Sequence, residues 1–129
     1  MSEKKIRGGS LIARALKDKG VQHVFTLSGG FCNPALEGFM ECQMEVINCP
    51  HEQIAGHIAD GHTRITRKPA VCLVGPEGFA NAVPSMMEAW GERSPVIFIT
   101  GSSSLKRQGS GGFKAVSYTH LTLPTKRIV

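Results

Sequence analysis

The sequence lacks the features that mark membrane, secreted and nucleic-acid-binding proteins. No stretch approaches the roughly 18 consecutive apolar residues of a membrane span, and the first ten residues hold no apolar segment of a secretory signal. We therefore expect a cytoplasmic protein with no membrane partner. Aromatic residues make up only 6% of the chain, and acids separate the basic residues despite a net charge of +5. A nucleic-acid partner is not predicted.

Metal and nucleotide motifs are missing as well. The four cysteines fit neither a C-x-x-C pair nor a zinc pattern. No Walker lysine follows a glycine loop, and no G-x-G-x-x-G follows the first predicted strand. His51 and His57 are six positions apart, whereas a zinc-binding helix needs its two histidines at i and i+4. We predict no metal ligand in this chain.

What the sequence does contain is an alternation of short apolar runs and helical segments. The runs at 21–27, 45–48, 70–74 and 96–100 are predicted strands, and 10–19, 34–42, 51–66 and 82–90 are predicted helices. Strands that alternate with helices predict an α/β domain of three layers, in which helices flank a mainly parallel sheet.

Local patterns predict where the helices begin and which residues form their apolar stripes. Ser10, Asn33 and Asn81 are predicted N-caps, and Gly20 is a predicted C′ residue. The predicted apolar stripes consist of Leu11, Ile12, Ala15 and Leu16 in the first helix, Leu36, Phe39 and Met40 in the second, and Ile54, Ile58 and Ile65 beside Ala55 and Ala59 in the third.

The carboxyl ends of the predicted strands form the expected ligand edge. Ligands of parallel α/β sheets bind beyond these ends, which here are followed by 28–30, 49–52, 75–78 and 101–102. Three of the four segments contain glycine, which permits close backbone approach to a ligand. Glu52 therefore lies on the predicted ligand edge. Taken alone, it is also the ordinary first-turn glutamate that a helix dipole favours.

Two readings from other functional classes stay open at this point. Cys49 ends a strand beside a helix N-terminus, a position that lowers a thiol pKa, and His51 is close to it in sequence. A cysteine hydrolase can be built in this way, although an inert packed thiol is the commoner outcome. The other reading is a non-catalytic structural α/β domain.

Four segments together resemble a known family. They are "GVQHVFTLSGG" at 20–30, "PHEQIAGHIADGHTRITRKPAVCLV" at 50–74, "GPEGFAN" at 75–81 and "SPVIFITG" at 94–101. In this order and at this spacing they resemble the N-terminal pyrimidine-binding domain of thiamine-diphosphate enzymes. The most similar branch is the acetolactate synthase-like one, which includes 2-hydroxyacyl-CoA lyases and oxalyl-CoA decarboxylases. The resemblance covers about residues 8–115.

The resemblance implies a cofactor and a role for each matching residue. Glu52 corresponds to the catalytic glutamate, whose carboxyl shares a hydrogen bond with N1′ of the aminopyrimidine and so activates the cofactor. Gly29, Gly30, Gly78 and Asn81 correspond, with Glu52, to residues that bind the pyrimidine end. The implied cofactor is thiamine diphosphate. In the family a separate C-terminal domain holds its diphosphate and Mg²⁺, and the resemblance leaves any FAD requirement open.

The resemblance also implies substrates and assembly. The substrate would be a small molecule, a 2-oxo acid or an acyl-CoA, and the full-length protein would be a homodimer or homotetramer, because the active site forms between subunits. Departures from the family pattern stand at 27–30, at Glu77 and at 113–115. They replace a tyrosine and a glutamine that accompany acetolactate formation, but leave the activating glutamate in place. A chain of this length is expected to be inactive alone.

The composition changes after Ala115. The segment "VSYTHLTLPTKRIV" contains no acid and shows no helical period. It resembles the in-frame translation of a transposon-end adapter used in sequencing libraries. We therefore expect residues 1–115 to be a partial N-terminal domain, truncated at its C-terminal end, and 116–129 to be a non-native tail. An independent read of codons 116–129 tests this expectation.

Overall fold

A computed structural model describes residues 6–104, 106 and 110 of the chain; the expected tail at 116–129 and the segment 113–115 lie outside the described residues. Helices and strands alternate in the predicted manner. Their order is α1 (Gly8–Asp18), β1 (His23–Thr26), α2 (Asn33–Glu41), β2 (Glu45–Asn48), α3 (Glu52–Thr66), β3 (Ala70–Val74), α4 (Phe79–Gly91) and β4 (Val96–Thr100). Among these described residues, no helix is long and apolar enough to cross a membrane.

The four strands form one parallel sheet in the order β2-β1-β3-β4. Phe25 of β1 pairs with Ile47 of β2 on one side and with Cys72 of β3 on the other. Every residue of β3 is buried, as expected for a strand covered on both faces. The predicted α/β class with a parallel sheet is confirmed, and the carboxyl ends of all four strands meet at one edge.

Helices cover both faces of the sheet and create two cores. Helices α1 and α2 pack over a cluster that includes Val24, Phe39 and Leu73, and burying each of these side chains stabilises the fold by roughly 1.5–3 kcal/mol. Helices α3 and α4 pack over a second cluster that includes Phe25 and Cys72. Successive residues of β1 and β3 thus supply opposite cores, as the alternation of side chains along a strand requires.

Only part of the apolar stripe predicted for α3 faces the sheet. Ile54 and Ile58 are each 43% exposed and Ile65 is 85% exposed, whereas Ala55 and Ala59 are fully buried. Small side chains allow the helix to lie close to the sheet and to α4, which excludes the larger isoleucines. The spacing identified a helix correctly, and within the predicted stripe the alanines are buried whereas the isoleucines are not.

The stripes predicted for α1 and α2 are partly wrong in the same way. Phe39 is fully buried, but Met40 beside it is 62% exposed. In α1, Ala13 is fully buried, whereas Leu11 and Ile12 are about half exposed. The close α1–α2 contact again selects a small residue over a large one.

All three predicted N-caps are wrong. Helix α1 begins at Gly8, so Ser10 lies within its first turn, where its hydroxyl donates a 2.7 Å hydrogen bond to Oε2 of Glu41. Asn33 is the first helical residue of α2 rather than its cap. Asn81 lies in the first turn of α4, which begins at Phe79. Ser10 contacts another helix instead of the end of its own, which sequence alone does not reveal.

Candidate functional site

Glu52 is the first residue of α3 and lies at the carboxyl-end edge of the sheet, as predicted. The helix begins there because His51 is its N-cap: the backbone of His51 is extended, and its Nδ1 accepts a 3.1 Å hydrogen bond from the backbone N–H of Gln53. Glu52 is half-buried. An acid in the first turn is favoured by the helix dipole, so the local sequence is compatible with a carboxylate at this point.

Asn81 reaches Glu52 from the neighbouring helix. Its Nδ2 donates a hydrogen bond of 3.1 Å to Oε2 of Glu52. The two residues follow different strands, β2 and β3, which are separated by β1 in the sheet. A hydrogen bond to a carboxylate is charge-assisted and stronger than one between neutral groups. The side chain that was predicted to cap α4 thus contacts the predicted catalytic acid instead.

Gly78 packs directly against the Glu52 side chain. A Cβ atom at position 78 would lie 2.6 Å from Cγ and 2.7 Å from Cδ of Glu52, and it would also overlap Oε1. Gly78 has ordinary right-handed backbone angles, φ −79° and ψ −11°. The requirement for glycine at this position is therefore steric rather than conformational.

Gly29 and Gly30 lie at the same edge of the sheet, in the loop between β1 and α2. Because β1 lies between β2 and β3, this loop starts between the segments that carry Glu52 and Gly78. A Cβ atom at either glycine would meet nothing within 4 Å. The structure therefore brings Glu52, Gly78 and Asn81 into contact and leaves Gly29 and Gly30 beside open space.

Comparison with known proteins decides the family. Residues 6–121 match the family described as "Thiamine pyrophosphate enzyme, N-terminal TPP binding domain". The chain belongs to this family. Thiamine pyrophosphate, or TPP, is another name for thiamine diphosphate, and the resemblance inferred from the motifs is confirmed.

The relatives of this TPP domain are longer proteins that carry several different enzyme names. It is 33% identical over 123 residues to "Probable acetolactate synthase" of Mycobacterium bovis, covering 95% of this chain and 22% of that protein. It is 32% identical over 121 residues to "Probable acetolactate synthase large subunit" of Methanocaldococcus jannaschii (92% and 20%), and 34% identical over 119 residues to "2-hydroxyacyl-CoA lyase 2" of Mus musculus (91% and 19%). The chain spans about a fifth of the length of these curated relatives.

Two buried thiols lie in the TPP domain near the site. Cys49 is 2% exposed, and burial raises its pKa although a backbone hydrogen bond at Thr26 acts in the opposite direction. Cys72 is fully buried, and burial, followed by the charges of Cys49 and Glu52, raises its pKa to about 12. The thiolate is the nucleophilic form of cysteine. Both environments favour inert packed thiols over the cysteine hydrolase reading.

His51 and His57 have separate structural partners in the TPP domain. The ring of His51 caps its own helix, and Nδ1 of His57 lies 3.1 Å from Oε2 of Glu88 on α4. Within residues 6–104, 106 and 110, no group of three His, Cys, Asp or Glu side chains is arranged to hold a metal ion.

Sequence reasoning overlooked a buried acid, Asp60, on the same helix of the TPP domain. Its Oδ2 lies 2.6 Å from Nη2 of Arg64, one turn later. Burial raises the pKa of Asp60, but neighbouring groups, first among them Arg64 with its hydrogen bond and charge, outweigh that effect and hold the pKa below its usual value. Arg64 also contacts Glu88 of α4 at 3.3 Å. The i, i+4 spacing of Asp60 and Arg64 was the available signal.

Proposed function

We propose that this domain binds the pyrimidine end of thiamine diphosphate and that Glu52 is the catalytic residue that activates the cofactor. The supporting observation is the contact of Glu52 with both Gly78 and Asn81. All three positions match the family motif, yet they lie up to 29 residues apart in sequence. Family membership supports the identity of the cofactor, and the shared location supports the residue assignment.

The residues around Glu52 fit the hydrogen-bonding edge of an aminopyrimidine. A half-buried carboxyl can share a proton with a ring nitrogen and remain accessible to a ligand. Gly78 leaves free the volume that a side chain would fill next to this carboxyl, and the loop at Gly29 and Gly30 has open space beside its backbone. Glu52, Gly29, Gly30, Gly78 and Asn81 are therefore the proposed cofactor-binding residues, and none is a proposed metal ligand.

The protein contributes position and proton handling to the reaction. When bound, thiamine diphosphate supplies the carbon centre that adds to a substrate carbonyl and accepts the electron pair released by carbon–carbon cleavage. The carboxyl of Glu52 would exchange a proton with the pyrimidine. Asn81 fixes Oε2 of that carboxyl, which limits its rotation. Partial burial reduces competition from water and strengthens the hydrogen bond that Glu52 makes.

The activity of the whole protein is a broader part of the proposal. We propose a cytoplasmic lyase or carboligase that acts on 2-oxo acids or acyl-CoA substrates, in keeping with relatives named acetolactate synthase and 2-hydroxyacyl-CoA lyase. Because this chain spans about a fifth of their length, another domain would hold the diphosphate and Mg²⁺. The complete site would form in a homodimer or homotetramer, and this chain alone would be inactive.

The catalytic assignment is tested by exchange of the cofactor proton in a full-length enzyme that contains this domain. Glu52→Gln should slow exchange of the thiazolium C2 proton by roughly 10²–10⁴-fold, the usual contribution of a positioned acid or base. Exchange is followed by NMR after acid quenching. Glu92→Gln, at the C-terminal end of α4, is the control, and the C2 proton of its bound cofactor should exchange at the wild-type rate. An unchanged rate in Glu52→Gln would refute the assignment.

The binding assignment is tested on the chain itself. Titration of ¹⁵N-labelled chain with thiamine should shift the backbone signals of Gly29, Gly30 and Gly78 and the side-chain amide signals of Asn81. Gly61 of α3, which has open space around it, serves as an internal reference. Shifts that appear elsewhere and spare these four residues would contradict the proposed site.

A further inference from the structure

We propose that Gly78 and Asn81 are positioning residues for Glu52, which together fix its side chain in one orientation before any ligand binds. In this proposal position 78 is a glycine because of Glu52. The importance of this orientation for catalysis rests on the proposed function. The orientation itself is a property of the free chain and is tested without a ligand.

The steric part of the proposal follows from the shape of the chain at Gly78. Its backbone angles are ones that alanine adopts readily. The obstacle is the Glu52 side chain, because Cγ and Cδ lie 2.6 and 2.7 Å from the position of the missing Cβ. Real Cβ contacts are essentially never shorter than 3.0 Å. Any side chain at 78 must therefore rotate Glu52 out of its place.

The polar part follows from the hydrogen bond between Asn81 and Glu52. Asn81 lies in the first turn of α4 and donates to Oε2 at 3.1 Å. Rotation of Glu52 away from Gly78 moves Oε2 and breaks this bond. The two contacts are thus mutually dependent: Gly78 leaves the volume that the side chain occupies, and Asn81 holds the carboxyl within it.

These contacts lie between two closely packed helices, α3 and α4. Gly56 of α3 faces Ser85 of α4 so closely that a Cβ atom at Gly56 would overlap the Ser85 side chain. Further along, Arg64 bridges to Glu88 across the same pair. Functional groups on helices are held more precisely than groups on loops. The separation of Glu52 and Asn81 is therefore set by the α3–α4 packing.

The first experiment compares the side-chain amide NMR signals of Asn81 between the wild type and three variants of the ligand-free, full 129-residue chain. Glu52→Ala should move these signals and abolish their protection from solvent exchange. Gly78→Ala should cause the same loss although it leaves both hydrogen-bonding residues present. Gly61→Ala, on α3 with nothing within 4 Å of its Cβ, is the matched glycine control and should leave the signals unchanged. Unchanged Asn81 signals in Gly78→Ala would overturn the proposal.

A second comparison covers the case in which Gly78→Ala folds poorly. Glycine is preferred over alanine at a helix N-cap, so the substitution has a cost unrelated to Glu52. That cost is common to the wild-type and Glu52→Ala backgrounds. We expect Gly78→Ala to lower the melting temperature by at least a few degrees more in the wild-type background, where the clash operates. Equal decreases in both backgrounds would overturn the steric part of the proposal.

The Asn81 measurements and the thiamine titration together distinguish the positioning of Glu52 from the cofactor assignment. If Asn81 responds to Gly78→Ala as expected but thiamine causes no shifts at the site, the positioning is supported and the cofactor assignment fails. If thiamine binds at the site but Gly78→Ala leaves the Asn81 signals unchanged, the cofactor assignment is supported and the positioning proposal is wrong.

Discussion

The side-chain amide of Asn81 donates a 3.1 Å hydrogen bond to Oε2 of Glu52 and so joins the first turns of α4 and α3. An aspartate at position 81 would place a second carboxylate beside that of Glu52, and the two negative charges should repel each other. We expect Asn81→Asp to lower the free energy of unfolding by about 1 kcal/mol more than Asn81→Ala, the energy of two charges about 4 Å apart in water.

Urea unfolding of the two variants measures this difference. The additional cost of Asn81→Asp should decrease when the salt concentration is raised, because salt screens interactions between accessible charges. Asn81→Ala, which only removes the hydrogen bond, should respond little to salt. Equal stability of the two variants at low salt would contradict the contact.

The contact between His62 and His23 predicts that the domain loses stability in mild acid. The rings of His62 on α3 and His23 on β1 lie 4.3 Å apart between centroids, and Nε2 of His62 is buried without a hydrogen-bond partner. Burial, together with the positive charges of His23 and Lys68, lowers the pKa of His62, although Glu45 on β2 opposes this. The folded state therefore binds the proton less readily than the unfolded state.

The sign of the pH effect follows from that lowered pKa. The stability contributed by neutral His62 is fully present above the unfolded pKa of about 6.5, and it is lost as the pH falls below that value, by up to about 1.4 kcal/mol per pH unit. His62→Phe should reduce the slope of unfolding free energy between pH 7.5 and 5.5. His57→Gln, on the same helix, should retain the His62 contribution. An identical slope in His62→Phe would contradict this assignment.

The ion pair of Asp60 and Arg64 predicts an asymmetric response to mutation. Asp60 is almost fully buried, so Arg64→Gln leaves a buried carboxylate without its charged partner. We expect a loss of roughly 1–3 kcal/mol in the free energy of unfolding, the cost of an unsatisfied buried group. Arg14→Gln, an exposed arginine on α1, is the control for the change in net charge and should alter stability by less than about 0.5 kcal/mol.

Acidification should reduce the difference between wild type and Arg64→Gln. In the wild type, Arg64 lowers the pKa of Asp60, so this pair stabilises the fold above an unfolded pKa of about 3.9 and the contribution is lost as the pH falls through the folded pKa. In the variant the lowering by Arg64 is absent, so the pKa of Asp60 is higher than in the wild type. The two unfolding curves should therefore approach each other below about pH 4. A difference that stays constant with pH would show that Arg64 acts through packing alone.

The burial of Cys49 predicts slow alkylation. At neutral pH, iodoacetamide should modify Cys42, which is partly exposed at the end of α2, well before Cys49 and Cys72, whose pKa values are raised. Mass spectrometry of peptides from a time course measures the order. Cys49 as the fastest site would instead favour the cysteine hydrolase reading.

The strands and the location of the acid followed from the sequence alone. Continuous apolar runs such as 70–74 are typical of strands covered on both faces, and strands that alternate with helices favour a parallel sheet. Once the strands are parallel, their carboxyl ends share one edge of the sheet. Glu52 was therefore placed at that edge correctly, because only its distance from the end of β2 was needed.

Tertiary structure decided which helix faces are buried and which residues meet Glu52. The α3 helix carries one stripe of isoleucines and one of small residues, and periodicity finds both without ranking them. Close packing of α3 on the sheet and on α4 selects Ala55 and Ala59, and leaves Ile65 in solvent. That same packing brings Asn81 to Glu52 across 29 positions. The contact depends on the separation and orientation of two helices, and these are set by side-chain volumes summed over the whole interface rather than by any local pattern.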